Sequence, residues 1–187
     1  KVGYTQSYSY FTWRNDRQGL TEYFTELYLT DVVETMRPNL FANTPDILHE
    51  YLQTGGQPAF VSRLVLAATL GASYGVYGRP FEHCVGKPLK EGSEEYFDSE
   101  KYQARHWDRD QPDSRAPMIA KINQARRDNP ALQDNRGLRF FESDNDQIIF
   151  YGKVTPDQSN IVVVAVNLDP FNRQSAWVRL PVDELGI

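Results

Sequence analysis

The chain has only one cysteine, Cys84, in 187 residues. No disulfide can form within it, and no zinc-type cysteine spacing exists. That scarcity suits a reducing compartment, and a cytoplasmic protein is expected. His49, His83 and His106 are scattered without metal-ligand spacing, so each reads as structural. No apolar run reaches the ~20 residues of a membrane helix, and no signal-peptide pattern opens the chain. No basic block is present; 20 Lys and Arg against 25 Asp and Glu give a net charge of −5. Nucleic acid and membrane are therefore not expected as partners. Internal repeats and low-complexity segments are also lacking. The chain begins at Lys1 in strand-like sequence and ends at Ile187 without a helix stop. Both ends read as cut, and a piece of a longer protein is expected.

What is present alternates. Tyr4 to Phe11 is aromatic and hydroxyl-rich, which favours a strand. Leu20, Phe24, Leu27 and Tyr28 come next at helical spacing, predicting a helix over Arg17 to Met36 that breaks near Thr30-Asp31. Leu40 to Asn43 reads as a short buried strand, with Pro38 just before it. A short helix after Asp46 stops at Gly55-Gly56-Gln57-Pro58, and Pro58 suits the start of the next. Ala59 to Leu70 is apolar nearly all round, as in a buried helix, and Gly71 ends it. Tyr74 to Tyr77 is a third short strand. Strand–helix alternation of this kind builds a parallel sheet.

Residues 78–113 form a long irregular stretch holding Tyr96, Phe97, Tyr102 and Trp107, too aromatic for simple disorder. A helix is expected over Ala116 to Asp128. Beyond Pro130 come four β-rich runs, Leu138–Glu142, Gln147–Val154, Ile161–Leu168 and Ser175–Leu180, separated by turn residues. They read as an antiparallel meander opening a β-sandwich. Ile161 to Val166, apolar on both faces, is expected as its central strand, and Ala176, Val178 and Leu180 should share one face.

Arg37-Pro38-Asn39 through Thr44-Pro45-Asp46 organises the rest. A strand delivering an acid from its carboxyl end is how α/β barrels place catalytic groups. The same residues also fit a helix start, with Thr44 as N-cap, Pro45 at N1 and Asp46 facing the dipole. The two readings are compatible.

Phe11-Thr12-Trp13-Arg14, the Arg37-to-Leu48 stretch, Glu91-Gly92-Ser93-Glu94-Glu95-Tyr96 and Asp98-Ser99-Glu100-Lys101-Tyr102 together resemble one family. It is the bacterial α-1,4-glucan:maltose-1-phosphate maltosyltransferases, a branch of glycoside hydrolase family 13 in the α-amylase clan. The resemblance implies the C-terminal part of a (β/α)8 barrel followed by an antiparallel β-sandwich. Residues 1–130 would then carry barrel strands six to eight, and residues 131–187 the start of the sandwich. It further implies Asp46 as the transition-state-stabilising acid of strand seven, and Lys101 and Tyr102 as contacts of the donor maltosyl unit. Clan members usually place Asn-His before that acid; here Thr44-Pro45 stands instead, which argues against an ordinary amylase. By the resemblance, the nucleophile and acid/base lie on strands four and five, ahead of this chain. The implied partners are α-maltose 1-phosphate, an α-1,4-glucan and a second copy of the full-length protein. No cofactor is implied.

The alternatives are an α-amylase-clan hydrolase and a non-catalytic glucan-binding module. Without the resemblance, Lys101 and Tyr102 read as a solvated charge beside a packing aromatic. Glu91, Glu94, Glu95, Asp98 and Glu100 read as a solvated acidic loop rather than a calcium loop. Tyr10, Trp13 and Tyr77 fit either a sugar cleft or core packing. Nothing in the sequence activates Cys84.

Overall fold

A computed structural model describes residues 6–97, 99–101 and 103–187. Among them, three short parallel strands, β1 (Ser7–Tyr8), β2 (Pro38–Phe41) and β3 (Ser73–Gly75), form a sheet in that order. Each strand leads into a helical segment. A 3-10 turn at Tyr10–Trp13 and helix α1 (Arg17–Leu29) come after β1, α2 (Glu50–Leu70) after β2, and α3 (Gly78–Glu82) after β3. Helix α4 (Ala116–Asp128) leads to the antiparallel part. There β4 (Leu138–Phe140), β6 (Ile148–Val154) and β7 (Ile161–Asn167) make one sheet. Strands β5 (Glu142–Ser143) and β8 (Val178–Arg179) make a two-stranded ribbon, and α5 (Val182–Leu185) lies near the end of the chain.

The α/β alternation and the antiparallel pairing match the expectation, but several boundaries move for visible reasons. The first strand, expected to run to Phe11, stops at Tyr8. Ser9 Oγ donates to the Asn39 carbonyl at 3.0 Å, and the Tyr10 N–H turns away to the Tyr23 hydroxyl at 2.9 Å. The chain therefore leaves the ladder; Tyr4 and Thr5 lie outside the described residues. Strand β2 starts at Pro38 and ends at Phe41, not at Asn43, because the Asn43 side chain takes over the pairing there. Strand β3 ends at Gly75, and the Tyr77 N–H goes to Asn43 Oδ1 instead of a ladder. Gly75 is required by closeness, since a Cβ there would lie 2.5 Å from the Phe41 ring.

The first helix breaks where expected, with Thr30 capping a 3-10 turn at Asp31–Glu34. The helix start at Thr44 is overturned. Helix α2 begins at Glu50, with His49 as its N-cap accepting the Tyr51 N–H on Nδ1 at 3.1 Å. The expected break at Gly55–Pro58 is real: Gly56 sits at φ 56, ψ −154 inside α2. Such a backbone favours glycine. Pro58 then costs no hydrogen bond in the first turn of the second half.

The expected central strand is an edge strand. Sheet order β4-β6-β7 puts β6 in the middle and leaves β7 with one partner among the described residues, and Val163 is 40% exposed. One face of β7, with Val164 and Val166, joins the core shared with α2, where Ser62 Oγ bonds the Asn167 carbonyl at 3.0 Å, and Val163 on the other face is exposed. The last run pairs only at Val178–Arg179. Val178 is exposed, and the Trp177 N–H is held by Asp144 Oδ1 at 2.8 Å.

Helix α2 joins the two sheets. Its buried residues Leu64, Ala67 and Leu70 share one core cluster with Phe11, Phe24 and Leu40 on one side and Ile149, Tyr151 and Val166 on the other. Thr69 Oγ1 and the Tyr151 hydroxyl are 2.6 Å apart, and the Tyr51 hydroxyl donates to the Leu168 carbonyl at 2.8 Å. Three cations reach inward to backbone carbonyls. Arg63 donates to the Phe11 and Arg14 carbonyls at 2.7 and 2.6 Å, closing the 3-10 turn after β1. Arg126 donates to the Gly71 and Ala72 carbonyls past the end of α2. Lys153, fully buried in β6, donates to the Asp134 carbonyl at 2.6 Å. Burial pushes the Arg63 guanidinium down to about 9 and the Lys153 amine down to about 8.

Candidate active site

Parallel strands end on one side, so the segments leaving β1, β2 and β3 gather at their carboxyl edge. After β2 the chain makes a two-residue hairpin. Thr44 and Ile47 exchange both backbone bonds, at 3.1 and 3.2 Å, and Pro45-Asp46 forms the tip. Proline fixes one backbone angle of that tip, and the Thr44 hydroxyl accepts the Asp46 N–H at 3.2 Å. Asp46 thus stands on a stiff turn with its side chain 57% exposed.

Lys101, from the long segment after β3, reaches this turn. Its Nζ pairs with Asp46 Oδ1 and lies 3.6 Å from Glu95 Oε1. Of the three residues the resemblance picks out, two are therefore together. Tyr102 lies outside the described residues, as does Asp98 of the acidic stretch.

Buried polar groups hold the two segments in register. Asn43, wholly buried, donates to the Tyr96 hydroxyl at 2.6 Å and accepts the Tyr77 N–H at 2.7 Å. The Tyr77 and Tyr96 rings meet edge to face, 5.4 Å apart. The Tyr77 hydroxyl accepts the Glu100 N–H at 2.9 Å, one residue before Lys101. On the β1 side, Thr12 Oγ1 bonds the Phe41 carbonyl at 2.9 Å. Trp13 Nε1 donates to both oxygens of Glu94, at 3.0 and 3.1 Å. The Glu94 carbonyl in turn accepts the Leu48 N–H. A cleft of about 840 Å³ lies between the start of α2, at His49, Glu50, Gln53 and Thr54, and the Lys87–Glu94 segment; Asp46 and Lys101 do not line it.

Sequence reasoning misses Asn43, Glu94 and Glu95. An asparagine closing an apolar strand is a usable signal for the first. The two glutamates read as solvated surface, and only the fold brings them to Trp13 and Lys101. Trp13 and Tyr77 are candidates that do lie here; Tyr10 is 68% exposed, its ring 5.9 Å from that of Trp13. His49 has a structural role, as the cap of α2. Burial, ahead of the opposing pull of Glu94, lowers its basicity. Burial raises the Cys84 thiol, which keeps it protonated and unreactive at neutral pH.

A family model described as "GLGE, C-terminal" matches residues 140–187. An α-1,4-glucan:maltose-1-phosphate maltosyltransferase of Rhodospirillum rubrum is 54% identical over the whole chain, which covers 27% of that protein. Proteins of the same activity name from Chlorobaculum tepidum and Streptomyces coelicolor are 47% and 51% identical, again over the whole chain and 28% of their own length. By sequence, the chain matches the C-terminal region of these maltosyltransferases. It spans little more than a quarter of their length. Among the described residues, no helix is long and apolar enough to cross a membrane.

Proposed function

We propose that the full-length protein transfers maltosyl units from α-maltose 1-phosphate to the non-reducing end of an α-1,4-glucan, with retention. The observation that carries this is the meeting of Asp46 and Lys101 at the carboxyl edge of the parallel strands. In this reading, residues 1–130 complete a (β/α)8 barrel as its strands six to eight, and residues 131–187 begin its C-terminal β-sandwich. The names of the relatives support the substrates, and the family resemblance supports a homodimer.

In retaining transfer the acid/base gives its proton to the departing phosphate as the bond from C1 to its oxygen breaks and the nucleophile forms a glycosyl-enzyme ester. The acceptor 4-hydroxyl then attacks C1, loses its proton to the acid/base and releases the nucleophile. Both of those carboxylates would come from barrel strands outside this chain, so the chain by itself should not turn over. Asp46 takes the remaining role. A carboxylate fixed beside the sugar offsets the positive charge that develops at C1 and the ring oxygen. Lys101 aims that carboxylate by its ion pair and, with Tyr102, contacts the donor. The chemistry calls for no metal or organic cofactor.

The test is transfer by the full-length protein from α-maltose 1-phosphate to maltohexaose, with released phosphate and lengthened glucan both measured. Loss of both on Asp46→Asn with folding intact supports the reading. Undiminished transfer in that variant removes Asp46 from the site. Free maltose in place of lengthened glucan would mark a hydrolase instead.

A further inference from the structure

Lys101 reaches Asp46 from a stretch without regular structure, so something else must hold it there. Two bonds fix the residue before it. The Tyr77 hydroxyl takes the Glu100 N–H, and Trp107 Nε1 donates to Glu100 Oε1 at 2.9 Å. The indole is itself anchored. It stacks on the His83 ring, with centroids 5.6 Å apart and planes 11° from parallel, and the Arg105 guanidinium lies 5.5 Å from its centre.

His83 is the C-cap of α3, the helix behind β3. Both of its ring nitrogens are buried without a hydrogen-bond partner among the described residues. Buried polar atoms left unpaired disfavour that placement, so the stack on Trp107 is what its position secures. Helix α3 holds the far end of the same stretch as well. The Glu82 carbonyl accepts the Arg115 N–H at 2.9 Å, and its Oε1 accepts from Ser114 Oγ.

We infer that Trp107 is a positioning residue for Lys101, acting through the Glu100 carboxylate and braced on His83. The indole N–H gives that carboxylate a fixed partner and ties residues 99–101 to the helix behind β3. Only its effect on turnover rests on the proposed function; the positioning has a structural readout of its own.

The experiment compares Trp107→Phe, Lys101→Met and the double variant in the full-length protein. Phenylalanine keeps a ring on His83 and loses the indole N–H. For the donor, kcat/KM should fall about fivefold in Trp107→Phe, the loss of one net hydrogen bond, with the larger share in KM and a smaller one in kcat through the aim of Asp46. Trp107→Phe should add nothing further in the Lys101→Met background, whereas a purely structural role would add in full. Amide exchange at Glu100 and Lys101 should quicken in Trp107→Phe while the melting temperature holds. Glu100→Gln, which keeps an acceptor for the indole, should leave kcat/KM near the wild-type value. Unchanged exchange, or full additivity with Lys101→Met, overturns the inference. Faster exchange in a protein that transfers no maltosyl upholds it and overturns the proposed function instead.

Discussion

Among the described residues of the parallel sheet, β1 and β2 share two paired positions and β2 and β3 share three, whereas β6 and β7 share seven. The antiparallel half is held by its backbone ladder. The parallel half makes up the difference with side chains that bond across the carboxyl ends of its strands, namely Ser9, Thr12 and Asn43. Those same side chains shape the edge where Asp46 stands. The two halves should therefore fail differently. At the parallel edge, substitution of the exposed Asp46 should separate activity from stability and substitution of the buried Asn43 should cost stability, whereas changes in the antiparallel half should touch stability alone.

The widest separation is expected at Asp46. If Asp46 has the proposed role, its replacement by Asn in the full-length protein should lower kcat by about 10²–10³-fold, as losing a preorganised charge does. Its ion pair with Lys101 is exposed, so unfolding free energy should move by less than about 1 kcal/mol. Parallel assays of turnover and urea denaturation check this. Next comes Asn43→Ala, which strands the Tyr96 hydroxyl and the Tyr77 N–H in the core. A loss of about 2–4 kcal/mol is expected, read by urea denaturation, and a loss below about 1 kcal/mol would break the contrast between the halves.

Lys153 tests the other side with the opposite sign. Its amine is pushed down to about 8 by burial, from 10.5. Between those values the unfolded chain binds the extra proton, so the wild type should gain stability as pH rises from 8 toward 10.5. Lys153→Met should lose that slope and be as stable as the wild type or more so at neutral pH, because an apolar group replaces a buried charge. Thermal unfolding across pH measures both. The smallest effect is at His49. Burial lowers its pKa below the ordinary 6.5, so the unfolded state takes up the proton first. Stability intact above about pH 6.5 should fall below it, as the imidazole loses the lone pair that caps α2. His49→Asn keeps an acceptor at the cap and should flatten that fall by up to ~1 kcal/mol, seen in pH-dependent melting.

Much of this is legible in the sequence where one residue type has one use. Thr30 ends a helix, Gly55–Pro58 breaks one, and turn residues separate the antiparallel strands. Asp46 stands out because proline and a short apolar run frame it. The misreadings share a cause. β7 reads as central because its valines are apolar on both faces, but only the Val164–Val166 face is buried, and a sequence does not reveal how many strands an apolar run has beside it. Thr44-Pro45 reads as a helix start because the same residues also build a tight hairpin. Asn43 meets Tyr96 across 53 positions, and Glu94 meets Trp13 across 81. Glu95 comes to Lys101 only through the path of an irregular loop. No local pattern encodes such meetings.

The hairpin at Thr44–Ile47 leaves its acid almost no latitude. With both flanking residues paired to each other and proline beside it, the carboxylate can shift only by turning about its own two side-chain bonds. One added methylene, as in Asp46→Glu, would carry the charge about 1.5 Å past its place with no slack in the backbone to draw it back. The group stands on a post rather than a tether, and any ligand must be brought to it.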